Sequence, residues 1–182
     1  DKFVIGYVGT HGMAHGLSNV LDAAEKLKNN DHIRFLLAGA GAERNMLVKA
    51  AEQRSLSNII FMPMQPKEKM PAVWSLCDVA LVHLKDNPAF AEVIPSKMFE
   101  AMAMGLPILL AVPDGEARGI LDGHAAGIWV PPGNPEALAN AAEKISNDQN
   151  LYRQLAANSL AAAPKHSRTV QADEMIAVFE KA

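Results

Sequence analysis

The stretch EVIPSKMFEAMAMGLPILLAV, residues 92–112, runs from a loop through a helix and a glycine into a strand. Pro95 and Ser96 mark the helix start, with Ser96 a candidate cap for the free N–H groups of the first turn. The Met- and Ala-rich helix stops at Gly105, and PILLAV then has strand length rather than membrane length. The same alternation extends in both directions. FVIGYVG (3–9), IRFLLAG (33–39), NIIFMPM (58–64), DVALVHL (78–84) and AGIWVPP (126–132) are short, apolar runs rich in Val, Ile and Leu. Apolarity that is continuous rather than alternating suits strands covered on both faces. Between them lie helical patterns: Leu17, Val20, Leu21, Ala24 and Leu27 fall on one stripe. A second stripe, Leu138, Ala141, Ala142 and Ile145, follows Asn134 and Pro135, a cap and a first helical residue. Strand alternating with helix predicts an α/β fold, a doubly wound parallel sheet of about six strands with helices on both faces. Residues 150–182 are helical only, and the chain, 1–182, reads as one domain.

With 182 residues, 49% of them hydrophobic, the chain is long enough for a substantial core. A net charge of −3 carries no basic excess, which argues against nucleic acid as a partner. Cys77 is the single cysteine, so neither a disulfide framework nor a cysteine zinc site can form. That fits a reducing, cytoplasmic setting. The chain opens at Asp1 and enters a strand within two residues, as an excised domain would.

In sheets of this kind ligands bind beyond the carboxyl ends of the strands. Four loops should form that rim: 9–16, 39–44, 62–67 and 84–100. GTHGMAHG (9–16) places Gly9, Gly12 and Gly16 where a ligand could approach backbone N–H groups, although the spacing is not that of a dinucleotide fingerprint. GAGAER (39–44) offers Gly39 and Gly41. Each reads equally well, by itself, as an ordinary glycine turn. His11 and His15 are four apart, but no third ligand is evident and no metal site is expected; a loop histidine donating to a phosphate fits better. Pro63 and Met64 stiffen the third loop, which could lie along a flat base or simply connect strand to helix. In the fourth loop, Glu100 lies about one turn into its helix, where the dipole favours a carboxylate by about 0.3–1 kcal/mol. That leaves Glu92 unexplained. Two carboxylates on one rim are natural clasps for vicinal diols, and a helix start between them suits a phosphate. Diol, phosphate, diol is the polarity pattern of a nucleotide sugar.

EVIPSKMFEAMAMGLPIL (92–109) resembles the segment of two glutamates, seven residues between them, in the family-4 retaining glycosyltransferases. AAGIWVPPGNPEALANAAEKI (125–145), LLAGAGAERNMLVKAA (36–51) and NIIFMPMQPKEKMPAVWSLCDVALV (58–82) are similar to that family in order and spacing. The resemblance covers nearly the whole chain. It implies a Rossmann-like half of a two-domain GT-B enzyme, the donor-binding C-terminal half, with the acceptor-binding N-terminal domain as the missing partner. In form it looks closest to bacterial enzymes of surface-polysaccharide assembly, of O-antigen or colanic-acid type, with a uridine-diphosphate sugar as donor.

The resemblance further implies roles. Glu100 would hold the ribose hydroxyls and Glu92 those of the donor sugar. Backbone around Ile94, Pro95, Ser96 and Lys97 would meet the diphosphate. Gly12 would pass close to the phosphates and Pro63 and Met64 would lie against the base, with Gly9, Gly39 and Gly41 further candidate binding residues on the rim. Family members commonly carry an arginine and a lysine where this chain has Thr10 and His15. Two helix starts supply about one positive charge against a diphosphate's two, so Lys97 or a protonated His15 must supply the remainder. The implied reaction is metal-free, cofactor-free transfer with retention, the leaving diphosphate being stabilised electrostatically. By itself this half should be inactive. Any docking at the inner face of a membrane would fall to the other half. Two further readings stay open: half of a GT-B nucleotide-sugar epimerase, and a non-catalytic nucleotide-binding module. In the resembled plan the terminal helix crosses to the other domain, so Val170, Ile176 and Phe179 are expected to be partly exposed.

Overall fold

A computed structural model of the chain describes residues 2–180. Its strands are β1 (Phe3–Val8), β2 (Ile33–Ala38), β3 (Ile59–Met62), β4 (Val79–His83), β5 (Ile108–Ala111) and β6 (Gly127–Val130). All pair in parallel in the order β3-β2-β1-β4-β5-β6, one strand within each expected run. The helices are α1 (Ser18–Lys26), α2 (Arg44–Gln53), α3 (Met70–Trp74), α4 (Lys97–Ala103), α5 (Glu116–His124), α6 (Pro135–Asn147), α7 (Gln149–Ala162) and α8 (Arg168–Phe179). The expected doubly wound sheet with a helical C-terminus is therefore present. Lys181 and Ala182, at the end of the expected helical segment, lie outside the described residues.

Because successive strand residues point to opposite faces, each strand feeds two cores. Ile5, Tyr7, Phe35, Leu37, Val79 and Leu81 pack with α1 and α6 on one face. Val8, Leu36, Ala80, Val82 and Leu110 pack with Val73 and Trp74 of α3 and with Met98 and Met102 of α4 on the other. All five residues of β4 are buried, which is why its sequence shows no polar alternation.

The α6 cap forms as expected, Asn134 Oδ1 accepting from the Ala137 N–H at 2.9 Å. The cap expected at Ser96 does not. Ser96 stands at the N-cap position of α4 with helical φ −57° and ψ −25°, and its side chain makes no cap bond. A cap residue needs extended backbone to aim its oxygen along the helix. Here the chain is already turning at Pro95, whose carbonyl accepts the Met98 N–H, while the Ser96 carbonyl accepts those of Phe99 and Glu100. The other end of α4 closes at Gly105 (φ 66°), as read from the sequence. There the N–H of Gly105 reaches Met102 and that of Leu106 reaches Ala101, a pairing that needs a left-handed residue.

The strand order reverses between β1 and β4, and the loops on either side are stitched together. Gly9 N–H donates to Ala38 O, His11 N–H to Ala40 O and Glu43 N–H to His11 O. On the β4 side Lys85 N–H donates to Ala14 O, and the buried His83 bridges the gap. His83 Nδ1–H donates to the His15 carbonyl at 2.7 Å, leaving Nε2 to accept from the Asn19 amide at 2.8 Å. In α8, Ile176 and Phe179 are exposed, with Met175 and Val178, and Val170 is half-buried.

Burial pulls the imidazoles of His83 and His11 down to about 4. Both then bind fewer protons folded than unfolded from about pH 6.5 downward, so the stability they contribute is present above that pH and is lost towards pH 4. For the pair, unfolding free energy should fall by about 2 kcal/mol between pH 7 and pH 5.5, above the carboxylate range. Urea denaturation at the two pH values measures this, and an unchanged midpoint would contradict the burial of both rings.

Candidate functional site

The site begins at the reversal between β1 and β4, the expected ligand crevice of such a sheet. Gly9 (φ 144°) is the first residue beyond β1, and a Cβ there would fall 2.8 Å from Lys97 Nζ. At Gly39 a Cβ would sit 1.8 Å from the Gly9 carbonyl oxygen, and at Gly41 2.4 Å from that of His11. These two glycines are thus required for backbone to lie directly on backbone, a role separate from any ligand. Gly12 is extended, with φ −120°, and faces only the Thr10 methyl and the His15 ring. Thr10 is exposed, and its carbonyl accepts the Tyr7 hydroxyl at 2.8 Å.

Lys97, the first residue of α4, crosses the reversal. Its Nζ lies 3.9 Å from the centre of the Tyr7 ring, is shielded from solvent and has no hydrogen-bond partner among the described residues. Burial lowers its pKa to about 8, against an upward pull from the Glu100 carboxylate. His15 stands edge-on to the same ring at 5.9 Å. Burial and then the Lys97 charge lower its pKa, opposed by the His83 backbone and Glu43. His15 is therefore neutral at pH 7 in the unliganded protein, and Lys97 is the cation at this point of the rim. Among the described residues no three His, Cys, Asp or Glu side chains are grouped to hold a metal.

A cleft of about 290 Å³ opens on the rim, lined by Gly9, Thr10, Gly39, Met64, Lys67 and Met70 among others. A second, of about 490 Å³, shares Lys67 and Met70 and continues to Trp74, Glu100 and Arg168. Glu100 is exposed and accepts from the Trp74 indole N–H at 3.3 Å. The glycine turn, Met64 and Glu100 therefore border one continuous run of hollows. Ile94 and Ser96 meet Glu100 in a third hollow, with Phe99 and His166. Pro63 is exposed beside Met64, its carbonyl accepting from Gln65, and Pro95 is half-buried.

Glu92 is not brought into any of these hollows. It is exposed on the loop before α4, which is pinned where the Ala91 carbonyl accepts the Glu116 N–H at 3.0 Å. Gly115 permits that contact, since its Cβ would lie 2.0 Å from the Ala91 oxygen. Sequence reasoning passed over Tyr7, Lys67, Trp74 and Arg168. Tyr7 and Trp74 are both buried, yet each offers a ring or an N–H to a charged group at the rim. No local signal marks such a residue.

Residues 1–161 match the protein family described as glycosyl transferases group 1. The putative colanic acid biosynthesis glycosyl transferase WcaI of Escherichia coli (strain K12) is 38% identical over 105 residues, covering 58% of this chain and 25% of that protein. The probable glycosyltransferase WbjE of Pseudomonas aeruginosa is 31% identical over 145 residues, covering 79% of this chain and 36% of that one. Among solved structures, Anabaena Alr3699/HepE in complex with UDP superposes with a TM-score of 0.84 at 20% identity, covering 99% of this chain and 49% of that one. The chain thus spans less than half the length of these relatives, and its fold is that of one half of a GT-B glycosyltransferase. Family match, sequence relatives and topology agree: the chain belongs to the group 1 glycosyl transferases.

Proposed function

We propose that this chain binds the nucleotide-sugar donor of a retaining glycosyltransferase, with a uridine diphosphate sugar as ligand and a saccharide or lipid-linked saccharide of a bacterial surface polysaccharide as acceptor. The observation that carries the reading is Lys97. A lysine that leaves its own helix to hold an unpartnered ammonium against the glycine turn is a cation placed for an anion, and it stands where Thr10 and His15 supply no charge. The clefts of about 290 and 490 Å³ share Lys67 and Met70, and so lead from Gly9 and Met64 to Glu100. In support, UDP and UDP-glucose are bound in structures of the Anabaena protein of like fold, and a relative carries a name of colanic acid biosynthesis.

In this reading the base lies along Met64 and Gly39, Glu100 accepts both ribose hydroxyls, and Glu92 accepts hydroxyls of the sugar from its exposed loop. Lys97 neutralises the charge that grows on the departing diphosphate, which lowers the barrier more than it stabilises the bound donor. The acceptor is supplied by the remainder of the longer protein, so this chain by itself should bind donor and transfer nothing measurable.

Calorimetry with UDP, GDP and ADP tests the assignment. UDP should bind best, and Glu100→Ala should weaken it roughly 10- to 100-fold, the worth of a charge-assisted hydrogen-bond pair. Absence of UDP binding, or undiminished binding by the variant, would refute the reading. A second expectation concerns pH. Only the ammonium form of Lys97 attracts the diphosphate, and its pKa in the free protein is about 8. Affinity should therefore decline as pH rises through 8, and Lys97→Met should bind at least about tenfold more weakly with the decline above pH 8 abolished. A wild-type affinity flat to pH 9.5 would exclude Lys97 from the phosphate.

A further inference from the structure

Four basic side chains converge behind the glycine turn, and each holds a solvent-shielded nitrogen with no partner among the described residues: His11 Nδ1 and Nε2, His15 Nδ1, Arg44 Nε and Lys97 Nζ. They come from three elements, the turn after β1, the start of α2 and the start of α4. Three of them surround one aromatic ring: Lys97 lies over the face of Tyr7, with His11 at 6.0 Å and His15 at 5.9 Å between ring centres. His11 is the extreme case. It is 0% exposed, its backbone is stitched to the loop after β2, and neither ring nitrogen is bonded. Leaving buried polar atoms unsatisfied costs about 1–3 kcal/mol each, so such a group calls for a partner. The titratable groups that act on its ring are Arg44 from α2, Lys97 from α4 and His15 from its own turn, all basic. An anion is the kind of ligand to which each of these groups, when it carries a proton, can donate. The cleft on the rim is lined by Gly9 and Gly39, and behind them a Cβ on Gly39 would come within 3.3 Å of His11 Nε2, just as one on Gly9 would come within 2.8 Å of Lys97 Nζ.

Resting on the reading of this rim as a nucleotide-sugar site, we propose that His11 is a proton-accepting positioning residue for the diphosphate: the anion settles on the glycine turn, His11 takes one proton from solvent, and the resulting imidazolium joins Lys97 and Arg44 around it. In the empty protein the neighbouring cations oppose that proton, and two diphosphate charges reverse the sign of the field. The balance is one proton consumed per ligand bound and none while the pocket is empty. His11 thus supplies positive charge only when a diphosphate is present, which compensates for Thr10 and the neutral His15.

The test is calorimetric titration of UDP-glucose into the 182-residue chain at pH 6.5, in two buffers of different ionisation enthalpy. The diphosphate of UDP-glucose has no group that titrates near this pH, so any proton taken up belongs to the protein. Wild type should take up at least about half a proton per ligand. His11→Gln should bind about tenfold more weakly with the uptake gone, while His15→Gln should retain it. Binding without uptake, or uptake that survives in His11→Gln, overturns the role of His11 and leaves the nucleotide-sugar reading standing. Absence of binding by both UDP and UDP-glucose overturns that reading and this proposal with it. Should His11→Gln fail to fold, the wild-type measurement still decides, because a buffer-independent heat of binding excludes proton uptake by any histidine.

Discussion

The ammonium of Lys97 against the Tyr7 ring is the contact on which the organisation of the rim depends. A lysine with nothing to bond to is an unfavourable thing to shield from water, and the lowered pKa reflects that cost. The electron-rich face of Tyr7 offsets part of it, a contact worth about 2 kcal/mol where desolvated. The geometry ties α4 to β1 across the one place where the strand order reverses. It also fixes what may stand beside it. Gly9 must lack a side chain, and Tyr7 must keep its hydroxyl tied back to the Thr10 carbonyl so that its face, not its edge, meets the cation.

Around that contact the two sides of the reversal are joined by different chemistry. On the β2 side the joints are backbone to backbone, made possible by Gly39 and Gly41. On the β4 side the joint is the chain from Asn19 through His83 to the His15 carbonyl, which only a neutral imidazole can complete, since it must both accept and donate. A sheet edge would solvate these groups. At the centre of a six-stranded sheet they must satisfy one another.

Much of this architecture is legible in the sequence because each signal is local. The runs of Val, Ile and Leu become strands buried on both faces, the Asn134–Pro135 pair caps α6, and Gly105 ends α4 where a left-handed residue is needed. What the sequence misjudges depends on approach angles that no short stretch encodes. Ser96 has the right chemistry for a cap but the wrong backbone, because Pro95 turns the chain one residue early. Gly39 and Gly41 read equally well as a ligand loop or an ordinary turn, and the backbone they must seat against belongs to the distant loop after β1. His11 looks like any polar loop residue until the loop after β2 closes over it. Nor does any short stretch show that the loop carrying Glu92 is anchored to the start of α5, the Ala91 carbonyl accepting the Glu116 N–H, while Glu100 borders the clefts.

The close seating of Gly39 on the Gly9 carbonyl has a mechanical meaning. With less than the width of a methyl group between them, the two loops cannot slide past one another. A displacement imposed on either is transmitted whole to its neighbour. The position of the turn that faces Lys97 is therefore tied to that of the loop after β2, which lines the same cleft as Met64.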